Sequence, residues 1–123
     1  GADKGAGPHA VLLDVGLKFL RFHRQAAPLL ASLFAEPVLL KKYRALILSR
    51  SPDTPRASPN VVAYLRRLRR EKTIARDTEP AMVAEAFLGA CFARAFHDSM
   101  FDDRPSDAAD RKFLRALIDS LIS

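Results

Sequence analysis

Proline spacing constrains this chain more than any other feature. Pro8, Pro28, Pro37, Pro59 and Pro80 each stand at the head of a run whose apolar residues recur three or four apart. Proline is tolerated in the first turn of a helix, where its missing N–H would have had no partner. In a helix interior it removes a hydrogen bond and clashes with the preceding turn. A chain punctuated this way reads as a set of helices that start at the prolines. No run alternates with the period of two that a half-buried strand shows.

The pieces follow directly. Residues 1–7 are rich in Gly and Ala and read as a loose arm. From His9 to about Arg24, Val11, Leu12, Val15, Phe19 and Phe22 fall at helical spacing. Pro28 is expected to end or bend that helix and open a short one, PLLASLFAE. Pro37 opens PVLLKKYRALILSR. Residues 49–59, SRSPDTPRASP, form a loop, and Ser58 caps the helix NVVAYLRRLRREK. Pro80 opens a long helix to about Phe101. Ser106 caps the last helix, with Asp107 and Asp110 suited to the positive end of its dipole. The expected fold is all-α, an orthogonal or antiparallel bundle of about six helices.

With 123 residues the chain is long enough for one domain and one core. Its 49 % hydrophobic residues are mainly Ala, Leu and Phe, which favour helix and exclude disorder. Cys91 is the single cysteine, so no internal disulfide can form, and a reducing, cytoplasmic setting is expected. No apolar run reaches the roughly 18 residues that would span a bilayer, so no membrane partner is expected. With no initiator Met, the chain reads as a fragment or a processed form.

Residues 79–96, EPAMVAEAFLGACFARAF, pose a problem of choice. On a helical wheel one side gathers Met82, Ala86, Gly89, Ala93, Phe96 and Met100. The other gathers Ala84, Leu88, Cys91, Phe92 and Ala95. A helix apolar all round must be buried all round. A small bundle has few such positions, so one face is assigned to the chain's own core and the other to a second copy. In the last helix Phe113, Leu114, Leu117, Ile118, Leu121 and Ile122 cover about half the circumference. The final two helices of each chain could therefore form a four-helix seam across a two-fold axis. Met82, Ala86, Gly89, Ala93, Phe96, Met100, Phe113, Leu117 and Leu121 are its expected residues.

At this point the chain resembles the C-terminal ligand-binding and dimerisation domain of TetR-type transcriptional regulators. VVAYLRRLRREKTIARDTEPAMVAEAFLGACFARAF, residues 61–96, carries the resemblance. It is similar to a family run of helix, basic end, Ile-centred turn, acidic-Pro start and Ala-rich helix, with a Leu88-Gly89-Ala90 step. LKFLRFHRQAAPLLASLFAEPVLLKKYRALI and SDAADRKFLRALIDSLI are similar to flanking helices of that family. Where many relatives have Gly in the turn, this chain has Lys72-Thr73. The resemblance covers residues 8–123 and implies an effector-binding and dimerisation domain there. A helix-turn-helix domain is absent from these residues, so DNA is an expected partner only through an N-terminal domain outside this chain.

The net charge of +6 draws attention to RRLRREK, residues 66–72. Such a run can bind phosphate; lying opposite an apolar stripe, it reads instead as a solvated helix face. Cys91 with His23 or His97 has no third orienting group and reads as an inert buried thiol. No metal spacing, phosphate loop or nucleophile motif is present, so neither an enzyme nor a cofactor is expected. His23, Tyr43 and Tyr64 are polar tips on apolar surfaces, as in a pocket that orients a greasy ligand. Phe19, Phe22, Leu30, Leu33, Phe34, Leu46, Ile47, Leu65, Phe87 and Cys91 complete the expected site. Its ligand is expected to be small and apolar or aromatic. A helical protein–protein adaptor without a small ligand is the alternative.

Overall fold

A computed structural model describes residues 7–122, so residues 1–6 of the expected arm lie outside the described residues. The described residues form five helices: α1 (Pro8–Ala35), α2 (Pro37–Arg50), α3 (Pro59–Arg70), α4 (Pro80–Met100) and α5 (Asp107–Ile122). Four of them begin on a proline, as the spacing requires. Ser106 Oγ accepts from the Ala109 N–H at 3.1 Å and caps α5. Ser58 occupies the N-cap of α3, but its side chain makes no capping bond.

The bundle has five helices where about six are expected, because Pro28 lies inside α1 without ending it. Proline at 28 cannot donate to the carbonyl of Arg24, one turn back. Ser99 on α4 donates its Oγ to that carbonyl instead, at 3.1 Å. The backbone acceptor is satisfied from a neighbouring helix, and α1 continues for two further turns.

α1 and α4 lie side by side and run the same way: Leu12 shares a space with Val83, His23 meets Phe92 and Arg24 meets Asp98. α5 runs against both, with Arg24 near Asp110 and His9 near Asp119. α3 packs on α4. The core between them holds Leu12, Leu20, Leu65, Phe87, Leu88, Cys91, Leu114 and Ile118. Gly16 allows the close approach here: a Cβ at that position would lie 2.6 Å from Leu114 Cδ2 and 3.1 Å from Phe87 Cζ, so those side chains would have to shift. Among Leu12, Val61, Leu65, Val83, Phe87 and Ile118 only about 10 Å³ stays free, roughly the least that one water needs.

α2 departs from this plan. A single residue, Glu36, separates it from α1. Two helices need about two to five loop residues to turn back on one another. α2 therefore projects from the bundle and buries none of its residues. Among the described residues no helix is long and apolar enough to cross a membrane.

Candidate dimer face and aromatic groove

α4 divides its surface cleanly. Ala84, Phe87, Leu88, Cys91 and Ala95 are buried, while Met82, Ala86, Gly89, Ala93 and Met100 are exposed on the opposite side. Met82 is 64 % exposed and Met100 63 %, and a Cβ built on Gly89 meets nothing within 4 Å. No charged residue lies within that outward row.

The other residues assigned to the seam sit differently. Phe113, Leu117 and Leu121 are half-buried and pack against the chain's own core, beside α4. Arg94 covers the Phe113 ring, its guanidinium carbon 4.2 Å from the centroid. Phe96 is half-buried and stacks on Phe92, with centroids 6.1 Å apart. It therefore belongs to the α1 side of α4 rather than to the outward row. Phe92, assigned to the core by the wheel, is 38 % exposed.

An aromatic cluster forms where α1 meets α4. His23 lies 4.1 Å from Phe19 and 5.1 Å from both Phe22 and Phe92, centroid to centroid. Spacing along α1 puts Phe19, Phe22 and His23 on one side, since residues three and four apart share a face. His23 Nδ1 is buried and has no hydrogen-bond partner among the described residues. Burial pushes the His23 pKa below the ordinary imidazole value, because desolvation penalises the charged ring. Ala27, Pro28, Ala31, Phe96, Ser99 and Met100 extend the cluster as a shallow groove. His23 Nδ1, unpaired among the described residues and set among three aromatic neighbours, can accept or donate a single hydrogen bond to an otherwise apolar molecule.

The thirteen residues assigned to a ligand pocket do not converge. Phe19, Phe22 and His23 meet in the aromatic cluster on α1. Leu65, Phe87 and Cys91 fill the core, where packing leaves beside Leu65 and Phe87 no more room than one water needs. Leu33 is buried and Leu30 half-buried near the end of α1, whereas Phe34 is exposed. Tyr43, Leu46 and Ile47 are exposed on α2, carried away by the Glu36 joint. Tyr64 is half-buried on α3, under the Arg67 guanidinium at 5.1 Å. Cys91 is fully buried, and desolvation pushes its thiol up to about 12, so it holds its proton.

A charged junction that helical periodicity does not reveal lies beside the groove. Arg24 of α1 donates from Nη1 and Nη2 to the two oxygens of Asp110 at 2.7 and 2.6 Å, and from Nε to Asp98 at 3.0 Å. Asp98 is 4 % exposed and Asp110 6 %. Both carboxylates hold the Arg24 guanidinium firmly protonated, most strongly through the Asp110 bonds, against the opposing effect of burial. Asp110 is thus a buried anchor as well as a first-turn acid. One arginine ties three helices together at the edge of the groove. Among the described residues no group of His, Cys, Asp and Glu could hold a metal ion.

Comparison with known proteins adds no relative. No family model matches the chain, and neither a curated protein nor a solved structure does.

Proposed function

We propose that this chain is the effector-binding and homodimerisation domain of a TetR-like transcriptional regulator. The observation that carries the reading is the outward row of α4. Met82, Ala86, Gly89, Ala93 and Met100 present an apolar strip with small residues at its centre, opposite the buried face of the same helix. Small residues let helices approach closely, and a two-fold axis beside α4 and α5 would bury this strip against its own copy. Exposed apolar surface of this kind marks an interaction site in soluble proteins.

The effector would bind against the cluster of Phe19, Phe22, His23 and Phe92 and the adjoining groove at Phe96. Its apolar body would stack on the rings, and one polar atom would pair with His23 Nδ1 once the rings that cover that atom part. Because α1 supplies half of this groove, occupancy would favour one placement of α1 relative to α4. An N-terminal DNA-binding domain outside this chain would respond through α1, releasing DNA. The response can be no larger than the ligand's differential affinity for the two placements, on the order of 1–3 kcal/mol.

Light scattering of the wild-type chain and of Gly89→Arg tests the assembly. A wild-type dimer and a folded monomeric variant are expected. A Gly89→Arg protein that remains a normal dimer removes α4's outward row from the interface. For the groove, thermal shifts against small aromatic compounds should disappear in His23→Ala and Phe92→Ala.

A second reading, a helical adaptor, draws on α2, where Leu39, Tyr43, Leu46 and Ile47 are exposed together with four cations, Lys41, Lys42, Arg44 and Arg50. It predicts a monomer in isolation that pairs with a different chain through α2. A homodimer unaffected by charge substitutions at Leu46 and Ile47 argues against it.

A further inference from the structure

The turn that follows α3 has an unusual residue at its centre. α3 ends in a motif where Thr73 N–H donates to the Leu68 carbonyl at 2.9 Å and Lys72 N–H to the Arg69 carbonyl at 3.1 Å. This ending requires a left-handed residue, and glycine fills it most cheaply. Lys72 stands there with φ 62°. A side chain is therefore kept where the backbone disfavours one.

The surroundings of that side chain are cationic. Between residues 66 and 79 six basic residues stand against three acidic ones. Arg69, Arg70, Lys72 and Arg76 line one open concavity with Thr73, Ile74 and Ala75. Arg69 donates to the Thr78 carbonyl at 3.0 Å, and Arg67 pairs with Glu71 at 3.3 Å. The side chains of Arg70, Lys72 and Arg76 have no hydrogen-bond or ion-pair partner among the described residues. The helix dipole accounts for arginines in the last turn of α3. It does not account for Arg76 beyond the helix; a left-handed side chain also closes α4, at Asp102 (φ 50°), so the charge of Lys72 rather than its backbone distinguishes this turn. Buried Ile74 fixes the turn to the core, so the three cations are held on a firm base.

We infer that this turn binds the phosphate backbone of nucleic acid, with Arg70, Lys72 and Arg76 each meeting a phosphate. Regularly repeated anions suit a row of unpaired cations, and such contacts carry no base specificity. The connector enters α4 at the end of the bundle where α1 begins and α5 ends, since Leu12, Val83 and Ile122 meet there. The patch is separate from the outward row of α4 and from the aromatic groove, so it can be tested apart from both.

The decisive variant is Lys72→Gly, because it removes the charge while relieving the backbone. Fluorescence anisotropy of a labelled DNA duplex with the whole chain, between about 50 and 200 mM salt, should give a log–log slope near −3 for three phosphate contacts. In Lys72→Gly the slope should lose about one, and affinity near 50 mM salt should fall about tenfold. Its Tm should rise by about 3 °C, which rules out unfolding as the cause. Arg70→Ser with Lys72→Gly and Arg76→Ser should abolish binding. Absence of duplex binding at about 50 mM salt overturns the inference, as does an unchanged slope in Lys72→Gly. Displacement of DNA by polyglutamate as readily as by unlabelled duplex would also overturn it, in favour of an acidic protein partner.

Discussion

Ser99 Oγ and the carbonyl of Arg24 form a 3.1 Å hydrogen bond that replaces the one Pro28 cannot make. Removing the hydroxyl leaves a part-buried acceptor beside a proline. Ser99→Ala should therefore lower stability by about 1 kcal/mol. Pro28→Ala restores the intrahelical donor and should stabilise α1 by about 1–2 kcal/mol, part of its gain being offset in the unfolded chain. In that background Ser99→Ala should be nearly silent. Urea unfolding of the two single variants and the double variant measures the coupling, and strict additivity would refute it.

Arg24 has two carboxylate partners that are almost wholly buried. Truncating it strands both of them away from water. Arg24→Met should cost about 3–5 kcal/mol, among the largest losses of any single substitution outside the apolar core. Adding Asp98→Asn and Asp110→Asn to Arg24→Met should recover a good part of the loss in Tm, because no uncompensated charge then remains. A triple variant no better than Arg24→Met would assign the loss to packing.

Two helical glycines should respond with opposite sign. Gly16 faces Leu114 and Phe87 at distances a methyl group cannot share. Gly16→Ala should destabilise by about 1–3 kcal/mol through overpacking. Gly89 faces open space in the single chain. In the single chain Gly89→Ala should stabilise by about 0.5–1 kcal/mol through helix propensity, apart from any effect on the pairing of two α4 rows. Chemical denaturation at equal protein concentration reads both.

His23 should make stability depend on pH. Its folded pKa is lowered, whereas the unfolded chain titrates near the ordinary imidazole value of about 6.5. Below that value the unfolded chain takes up a proton that the folded chain resists. Stability should therefore be fully present above about pH 6.5 and decline as pH falls toward the folded pKa. Tm measured at pH 7.5 and pH 5.5 should show a smaller drop for His23→Phe than for the wild type. Equal drops would assign the effect to other groups.

Much of the helical plan was legible in the sequence, and the reasons are local. A proline at the head of a periodic run can be read without knowing any neighbour, and Pro8, Pro37, Pro59 and Pro80 all open helices. Pro28 has the same local appearance; what lets the helix pass through it is Ser99, which comes from α4. Asp98 and Asp110 likewise look like ordinary surface acids until Arg24 arrives from 74 and 86 residues away. The division of α4 into Leu88 and Cys91 against Ala86 and Gly89 follows from periodicity alone. The pocket was less legible because α2 has suitable residues in Tyr43, Leu46 and Ile47, but one joint residue decides where they point.

That joint has a consequence for how the molecule opens. α2 contributes nothing to the core, so its 14 residues rely on their own backbone bonds and a corner at Glu36. A helix of that length is marginal in water when unsupported. Its amide protons should exchange by local fraying, well ahead of those around Leu20 and Ile118, which require the whole bundle to come apart. The chain thus carries two separate unfolding equilibria, and a molecule that grips α2 would slow exchange there while leaving the melting of the bundle unchanged.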